Sequence, residues 1–160
     1  MRIGVVSDTH NRLPNVQRIV ALFNAAGVER VIHTGDVTQA RTIHAFASLH
    51  VPLIGVFGNN DEREPLAAAA AEHGFAFHDG PLHLTLAGRR IAVVHDPREL
   101  AAVRADEHDL ALHGHDHRYA AEREHGRLRF NPGECAGHMA GHNAVGVVDL
   151  TTLEVELLKF

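Results

Sequence analysis

The sequence predicts an α/β fold in which two packed sheets carry helices on the outside. Three observations lead there. Short apolar runs rich in β-branched residues recur along the 160-residue chain and read as buried strands. In the first half they alternate with segments of helical periodicity, β-α-β-α-β-α, as parallel strands joined by crossover helices do. In the second half they come in pairs around short turns, as hairpins do.

The elements follow in order. "RIGVVS" at 2–7 is the first strand. Pro14 opens a helix whose apolar residues Val16, Ile19, Val20, Leu22 and Phe23 recur at helical spacing, with Gly27 as its stop. "RVIHTG" at 30–35 is a strand and "ARTIHAFASL" at 40–49 a helix. "VPLIGVFG" at 51–58 is a strand, and "EPLAAAAAEH" at 64–73 a helix ended by Gly74. "HLTLAGRRIAVVH" at 83–95 is a hairpin turning at Ala87-Gly88. A short helix at 97–105 and a strand, "DLALHG" at 109–114, come next. "YAAEREHGRLRF" at 119–130 turns near His125-Gly126, and the last hairpin, 143–160, turns near Thr151-Thr152. No linker or repeat interrupts the chain, so residues 1–160 read as one domain.

Composition narrows the function classes. The hydrophobic fraction of 45% is ordinary for a globular protein, and no apolar run is long enough for a membrane span. The first strand begins at once, so no signal peptide is expected. A lone cysteine, Cys135, cannot close an intrachain disulfide, which points to a reducing cytoplasm. The net charge of -5, the lack of a Lys/Arg block and an aromatic content of 5% argue against nucleic acid and anionic membranes as partners. Fifteen histidines are the oddity. At that frequency a His-x-His such as "HGHDH" at 113–117 arises about once by chance, so the motif alone says little.

Its company says more. Polar clusters repeatedly follow the apolar strands: Asp8-Thr9-His10, Asp36, Asn59-Asn60-Asp61, His95-Asp96 and His115-Asp116-His117. In open α/β sheets the carboxyl ends of the strands form the ligand crevice, so these clusters should meet at one rim. Residues i and i+2 on extended backbone point the same way, which would aim Asp8 with His10, and His115 with His117, at a common centre. Gly35, Gly58 and Gly114 permit close backbone approach just before these positions. Nitrogen and oxygen donors of this kind suit Mn, Fe, Zn, Ni or Co, and not Cu(I) or an iron–sulfur cluster. Each residue alone has a blander reading: Asp8 and Asp36 as helix caps, Asn59 to Asp61 as a polar turn, His95 as a satisfied histidine. The ordered combination reverses those odds.

In order, "SDTH", "HTGDV", "GNND", "VVHD" and "HGHDH" resemble the block signature of the calcineurin-like metallophosphoesterases, most closely the small prokaryotic YfcE-type phosphodiesterases. "NPG" at 131–133 fits the same type. The resemblance implies a four-layer α/β/β/α sandwich of two mixed sheets. It implies two divalent metal ions, manganese first, with iron, nickel, zinc or cobalt as alternatives. Asp8, His10, Asp36 and His117 would hold one ion; Asp36, Asn59, His95 and His115 would hold the other. The implied reaction is hydrolysis of a small phosphodiester by hydroxide bridging the metals, attacking in line. Asp8, Asp36, Asn59 and His95 would be catalytic through the metals. A homo-oligomer remains compatible with this type.

Three positions depart from the family pattern. Many members carry a leaving-group-protonating His after the metal-binding Asn; here it is Asn60, which has no mobile proton. The general acid is therefore unassigned, with buried-strand His33, beside Asp36, as a candidate. Asp96 replaces a usual Gly and could narrow the pocket. Glu134 replaces the usual Ser after "NPG", without an assignable role, in a loop (131–143) that would border the site. His113 is a further neighbour of the ligands, and Cys135 reads as a small loop residue. No Lys or Arg lies within the blocks; Arg12, Arg63 and Arg98 are the nearest, and Asp61, Asp96 and Asp116 add carboxylates beside them. This favours diesters over the more highly charged monoesters. The alternatives are a non-catalytic scaffold on the same fold, which would lack ligands such as His10, and a nuclease, which would carry a basic surface or extra domains.

Overall fold

The computed structural model describes residues 1–160. Eleven strands form two mixed sheets. The first sheet runs β11 (Val155–Lys159), β10 (Ala144–Asp149), β1 (Arg2–Val6), β2 (Arg30–His33), β3 (Leu53–Val56), β4 (Ala76–His78). Its strands β1 to β4 are parallel, and β10 returns antiparallel beside β1. The second sheet runs β5 (Leu82–Leu86), β6 (Arg89–Val93), β7 (Leu110–Leu112), β9 (Arg127–Asn131), β8 (Ala120–Glu124). There β6, β7 and β9 are parallel, with antiparallel hairpin strands at both edges.

Strand periodicity builds two cores. In β1, Ile3 and Val5 face the second sheet, where they meet Ile91, Val93, Leu110, Leu112 and Phe130. Val6 faces the other way, into the layer of helices α1 (Leu13–Ala26), α2 (Ala40–Ala45) and α3 (Arg63–Glu72). Successive side chains on a strand point to opposite faces, so one strand serves both cores. Gly4 is required on the helix side, since a Cβ there would fall 2.7 Å from the Phe23 ring. At Ala87-Gly88 and His125-Gly126 both central residues have positive φ, the two-residue hairpin turn that matches strand twist.

Three expectations need correction. Strand β4 was not expected; at three residues it carries too little pattern to detect, yet it pairs in parallel with β3. The helix expected at 40–49 is α-helical only to Ala45, and Phe46, Ala47 and Leu49 continue it with i−3 bonds. The segment 97–105 is not an α-helix: it forms a 3-10 helix over Pro97–Ala102 and another over Ala105–Glu107. Neither holds a buried residue, so no apolar stripe is available to stabilise regular helix. The outer layer on the second sheet is accordingly thin. The last hairpin forms as expected, and its first arm, β10, also pairs antiparallel with β1, one strand in from the edge of the first sheet. No helix is long and apolar enough to cross a membrane.

Candidate metal centre

The carboxyl ends of β1, β2, β3, β6, β7 and β9 open onto one rim, and all seven expected ligands lie there. His10 Nε2 stands 3.7 Å from Asp8 Oδ1 and 3.3 Å from Asp36 Oδ2. His117 Nε2 is 3.3 Å from Asp8 Oδ1. On the other side of Asp36, His95 Nε2 is 3.5 Å from its Oδ2 and 3.0 Å from Asn59 Oδ1. His115 Nδ1 lies 3.1 Å from Asn59 Oδ1 and 3.2 Å from His95 Nε2. Asp36 thus stands between two groups of donors.

The convergence does not come from extended backbone. Asp8 (φ 52°), His10 (41°), Asp36 (58°), His115 (73°) and His117 (56°) all adopt the left-handed region. Such conformations cost on the order of 1 kcal/mol or more each outside glycine and persist only where surroundings enforce them. Here the enforcement is a lattice of backbone bonds: Asp8 N–H to Gly35 O (3.1 Å), His10 N–H to Asp36 O (3.1 Å), Gly114 N–H to His95 O (3.0 Å). The loops touch closely. A Cβ on Gly58 would strike Asp36, and one on Gly114 would strike Ser7 and Asp8.

The donors fit a metal. Asp8 Oδ1 and His10 Nε2 are buried and have no hydrogen-bond partner, which is costly unless something else completes them. His95 Nδ1 lies 2.9 Å from the Thr34 carbonyl. In neutral imidazole that nitrogen must then carry the proton, leaving the Nε2 lone pair toward Asp36 and Asn59. Asp8 also accepts from the Ser7 hydroxyl and, at 3.1 Å, from His115 N–H.

The titrations follow from this crowding. Burial pushes the Asp8 carboxyl up, but His10, His117 and Ser7 more than reverse it, and its pKa falls well below the carboxylate range. Burial likewise opposes charge on Asp36, yet His95 and the two Asn60 donors lower it to about 2. His95 is disfavoured as a cation by burial, but Asp36 outweighs this and raises it to about 9. Asp8 raises His117.

His33, the candidate for the unassigned general acid, is buried and hydrogen-bonded on both ring nitrogens. It has no exposed surface, its Nδ1 accepts from Gly35 N–H at 3.1 Å, and its Nε2 contacts Thr9 Oγ1 at 3.2 Å. Burial depresses its pKa to about 3, so it is neutral and fully engaged. It braces the Asp8 loop against the Asp36 loop. His113 is also buried, and Arg129 Nε donates to its Nε2 at 3.3 Å, away from the centre. Asp61 points inward, accepting from Thr38 N–H (2.5 Å) and Gly58 N–H (2.7 Å), which ties the Asp36 loop to the Asn59 loop. Asp116 accepts from Asn131 Nδ2 at 2.6 Å. Asp96 caps the first 3-10 helix, pairs with Arg98 and lies 3.7 Å from His115 Nε2.

Glu134, left without a role by the sequence, and His138, not singled out there, both adjoin the centre. Glu134 is fully buried, accepts from Met139 N–H (2.8 Å) and His138 N–H (3.2 Å), and brings Oε2 to 3.6 Å from His117 Nδ1. His138 stacks on His117, with ring centroids 5.2 Å apart and planes at 6°, and lies 5.5 Å from the His10 ring. The sequence pointed to Glu134 through its place after "NPG", and to His138 only through the expectation that loop 131–143 borders the site. A cleft of about 510 Å³ reaches the centre at Asn59, His95 and His115, and contains Arg63 and Arg98.

Residues 1–153 match the calcineurin-like phosphoesterase superfamily domain. The chain belongs to that superfamily. It is 31% identical over 157 residues to Phosphodiesterase MJ0936 of Methanocaldococcus jannaschii, covering 93% of each. It is 24% identical over 173 residues to Phosphodiesterase YfcE of Escherichia coli K12, covering 99% of this chain and 93% of that one. A solved archaeal phosphodiesterase superposes with a TM-score of 0.92 at 30% identity, over 100% of both chains. The layered mixed-sheet fold is thus shared with metallophosphoesterases, and the Asp, His and Asn blocks that carried the resemblance lie within the matched region.

Proposed function

We propose that this chain is a phosphodiesterase working with two divalent metal ions. Asp8, His10, Asp36 and His117 would hold one ion, and Asp36, Asn59, His95 and His115 the other. The observation that carries this reading is the position of Asp36 Oδ2, 3.3 Å from His10 Nε2 and 3.5 Å from His95 Nε2. One carboxylate faces both donor groups.

When bound, such ions lower the pKa of water into the neutral range and stabilise charge on phosphoryl oxygens during in-line displacement. The chain's own residues do the rest. Asp8 and Asp36 supply two negative charges against two dications, so the centre keeps a local positive charge that attracts phosphate despite the acidic protein. Thr34 fixes the His95 tautomer through its carbonyl. Asp61 and His33 lock the loops that carry Asp36, Asn59 and Asp8. Asp8, Asp36, Asn59 and His95 act through the metals, and no protein group is assigned as the general acid. The nitrogen and oxygen donor set suits manganese, with iron, nickel, zinc or cobalt as alternatives. Cys135, buried with a thiol that burial pushes far up, is compatible with a reducing cytoplasm. The substrate is a small diester.

The test is hydrolysis of bis-p-nitrophenyl phosphate by chelator-treated protein, with and without each metal. Metal-dependent release of nitrophenolate supports the reading. Metal binding without turnover of any phosphoester would make the chain a scaffold, and digestion of single-stranded DNA in preference to small diesters would make it a nuclease.

A further inference from the structure

A second cleft, of about 670 Å³, leaves the centre on the opposite side, starting at His117 and running to β11. Its chemistry differs from that of the cleft at His95. The cleft at His95 has a single apolar residue, Phe57, and its arginines are paired, Arg63 with Asp79 and Arg98 with Asp96. The His117 cleft contains Tyr119 and Met139, which are 53% and 44% exposed and are the chain's two exposed large hydrophobic side chains. Isolated apolar side chains on a surface are ordinary, but two lining one concave site next to a reactive centre are not.

The site is built rather than incidental. Tyr119 stands edge-on to buried Phe130, with centroids 6.2 Å apart and planes at 78°, so its ring has a fixed wall behind it. Met139, from loop 131–143, lines the same cleft, and its backbone is held by its N–H bond to buried Glu134. Leu157 lines the cleft further on. Arg118 and Lys159 add cationic groups, and neither has a carboxylate partner. A flat ring gains from contact with a tyrosine ring and with a methionine thioether, each favourable beyond the area it buries. The two cations complement the negative charge of the ester to which such a ring is attached.

We infer that this cleft is the subsite for one ester arm of the substrate, and that the arm it takes is aromatic, with Tyr119 and Met139 as the residues that select it. The inference rests on the phosphodiesterase reading, since His117 belongs both to the cleft and to the proposed ligand set.

The sequence supplies its own probe. The chain has one tyrosine and no tryptophan, so tyrosine emission reports Tyr119 alone. Phenylphosphonate and methylphosphonate present the same headgroup and differ only in the arm, and neither has a hydrolysable P–O–C ester. Both are titrated into protein loaded with the metal that supports turnover of bis-p-nitrophenyl phosphate. Phenylphosphonate should quench the emission saturably and bind about three- to tenfold more tightly than methylphosphonate. In Met139→Ala that ratio should fall toward one. In Tyr119→Ala, read by competitive inhibition because the fluorophore is gone, it should fall likewise, while Tyr119→Phe should keep it. Equal affinities, or tight phenylphosphonate binding without quenching, in a protein that turns over the diester would overturn the subsite and leave the hydrolase standing. Absence of metal-dependent turnover would overturn the hydrolase, and the subsite with it.

Discussion

Asn60 donates twice to Asp36: its backbone N–H reaches Oδ1 at 3.0 Å and its side-chain amide reaches Oδ2 at 2.8 Å. The residue at which many relatives place a protonating histidine is here a brace for the carboxylate shared between the two donor groups. With His33 buried and engaged as well, the general acid stays unassigned. A general acid is worth about 100- to 10,000-fold in rate. Turnover should therefore depend steeply on leaving-group acidity, with nitrophenyl diesters cleaved readily and alkyl diesters slower by about that range. Rates measured across phenols of graded pKa check this, and a flat dependence would reveal an acid elsewhere.

Metal affinity should rise with pH. In the metal-free protein His95 keeps its proton up to about pH 9, because Asp36 outweighs the burial that opposes it. An ion binding Nε2 must displace that proton, so affinity should fall about tenfold per pH unit below about 9 and level off above it. Stability of the chelator-treated protein should run the other way. The folded pKa of His95 lies above the ordinary 6.5, so its contribution is full below about 6.5 and is lost as pH rises through about 9. Asp36, at about 2, contributes above its ordinary range and loses this only as pH falls through about 2. Calorimetric metal titrations at several pH values, with Tm of stripped protein beside them, test both signs. Affinity that does not change with pH contradicts the proton displacement.

Glu134 backs His117 from behind, with its Oε2 3.6 Å from Nδ1. At that ion-pair distance, beyond a hydrogen bond, the carboxylate favours a proton on Nδ1, which leaves the far nitrogen, Nε2 on the Asp8 side, free to bind a metal. Glu134→Gln should weaken metal binding at that site by about 10- to 100-fold. A buried carboxylate that only pinned the loop would instead lower Tm and leave the metal Kd of the folded protein unchanged.

The charges of the His95 cleft favour diesters. The sequence suggested that no arginine enters the blocks; the structure brings Arg63 and Arg98 to the cleft, but each is paired, and Glu99 adds a third carboxylate to those of Asp79 and Asp96. A monoester carries about one more negative charge at neutral pH and meets no uncommitted cation there. Bis-p-nitrophenyl phosphate should show the higher kcat/KM, and Asp79→Asn, by releasing Arg63, should shift preference toward p-nitrophenyl phosphate. A native preference for the monoester would contradict this balance.

Much of the site could be read from residue order, for a physical reason. Parallel strands deliver their carboxyl ends to one side, so Asp8, Asp36, Asn59, His95 and His115 to His117 had to meet once the strands were recognised. How they meet could not be read. The left-handed backbone at Asp8, His10, Asp36, His115 and His117 has no signature in residue type, because only glycine announces positive φ. The role of Glu134 and the presence of His138 could not be read because loop 131–143 has no periodicity, and its path depends on a buried carboxylate gathering backbone amides. The short strand β4 and the 3-10 segments after Asp96 were missed or misjudged because tertiary packing, rather than local pattern, decides elements of that length.

In the proposed centre Asp36 is shared by two metal ions. Metal content per chain, measured on native protein and on Asp36→Asn purified in parallel without chelator, tests it most directly. The native chain should hold about two ions. In Asp36→Asn, occupancy of both should fall together and turnover of bis-p-nitrophenyl phosphate should collapse, since one substitution removes a ligand from each. An Asp36→Asn protein that keeps two ions and full turnover would contradict the shared-carboxylate centre.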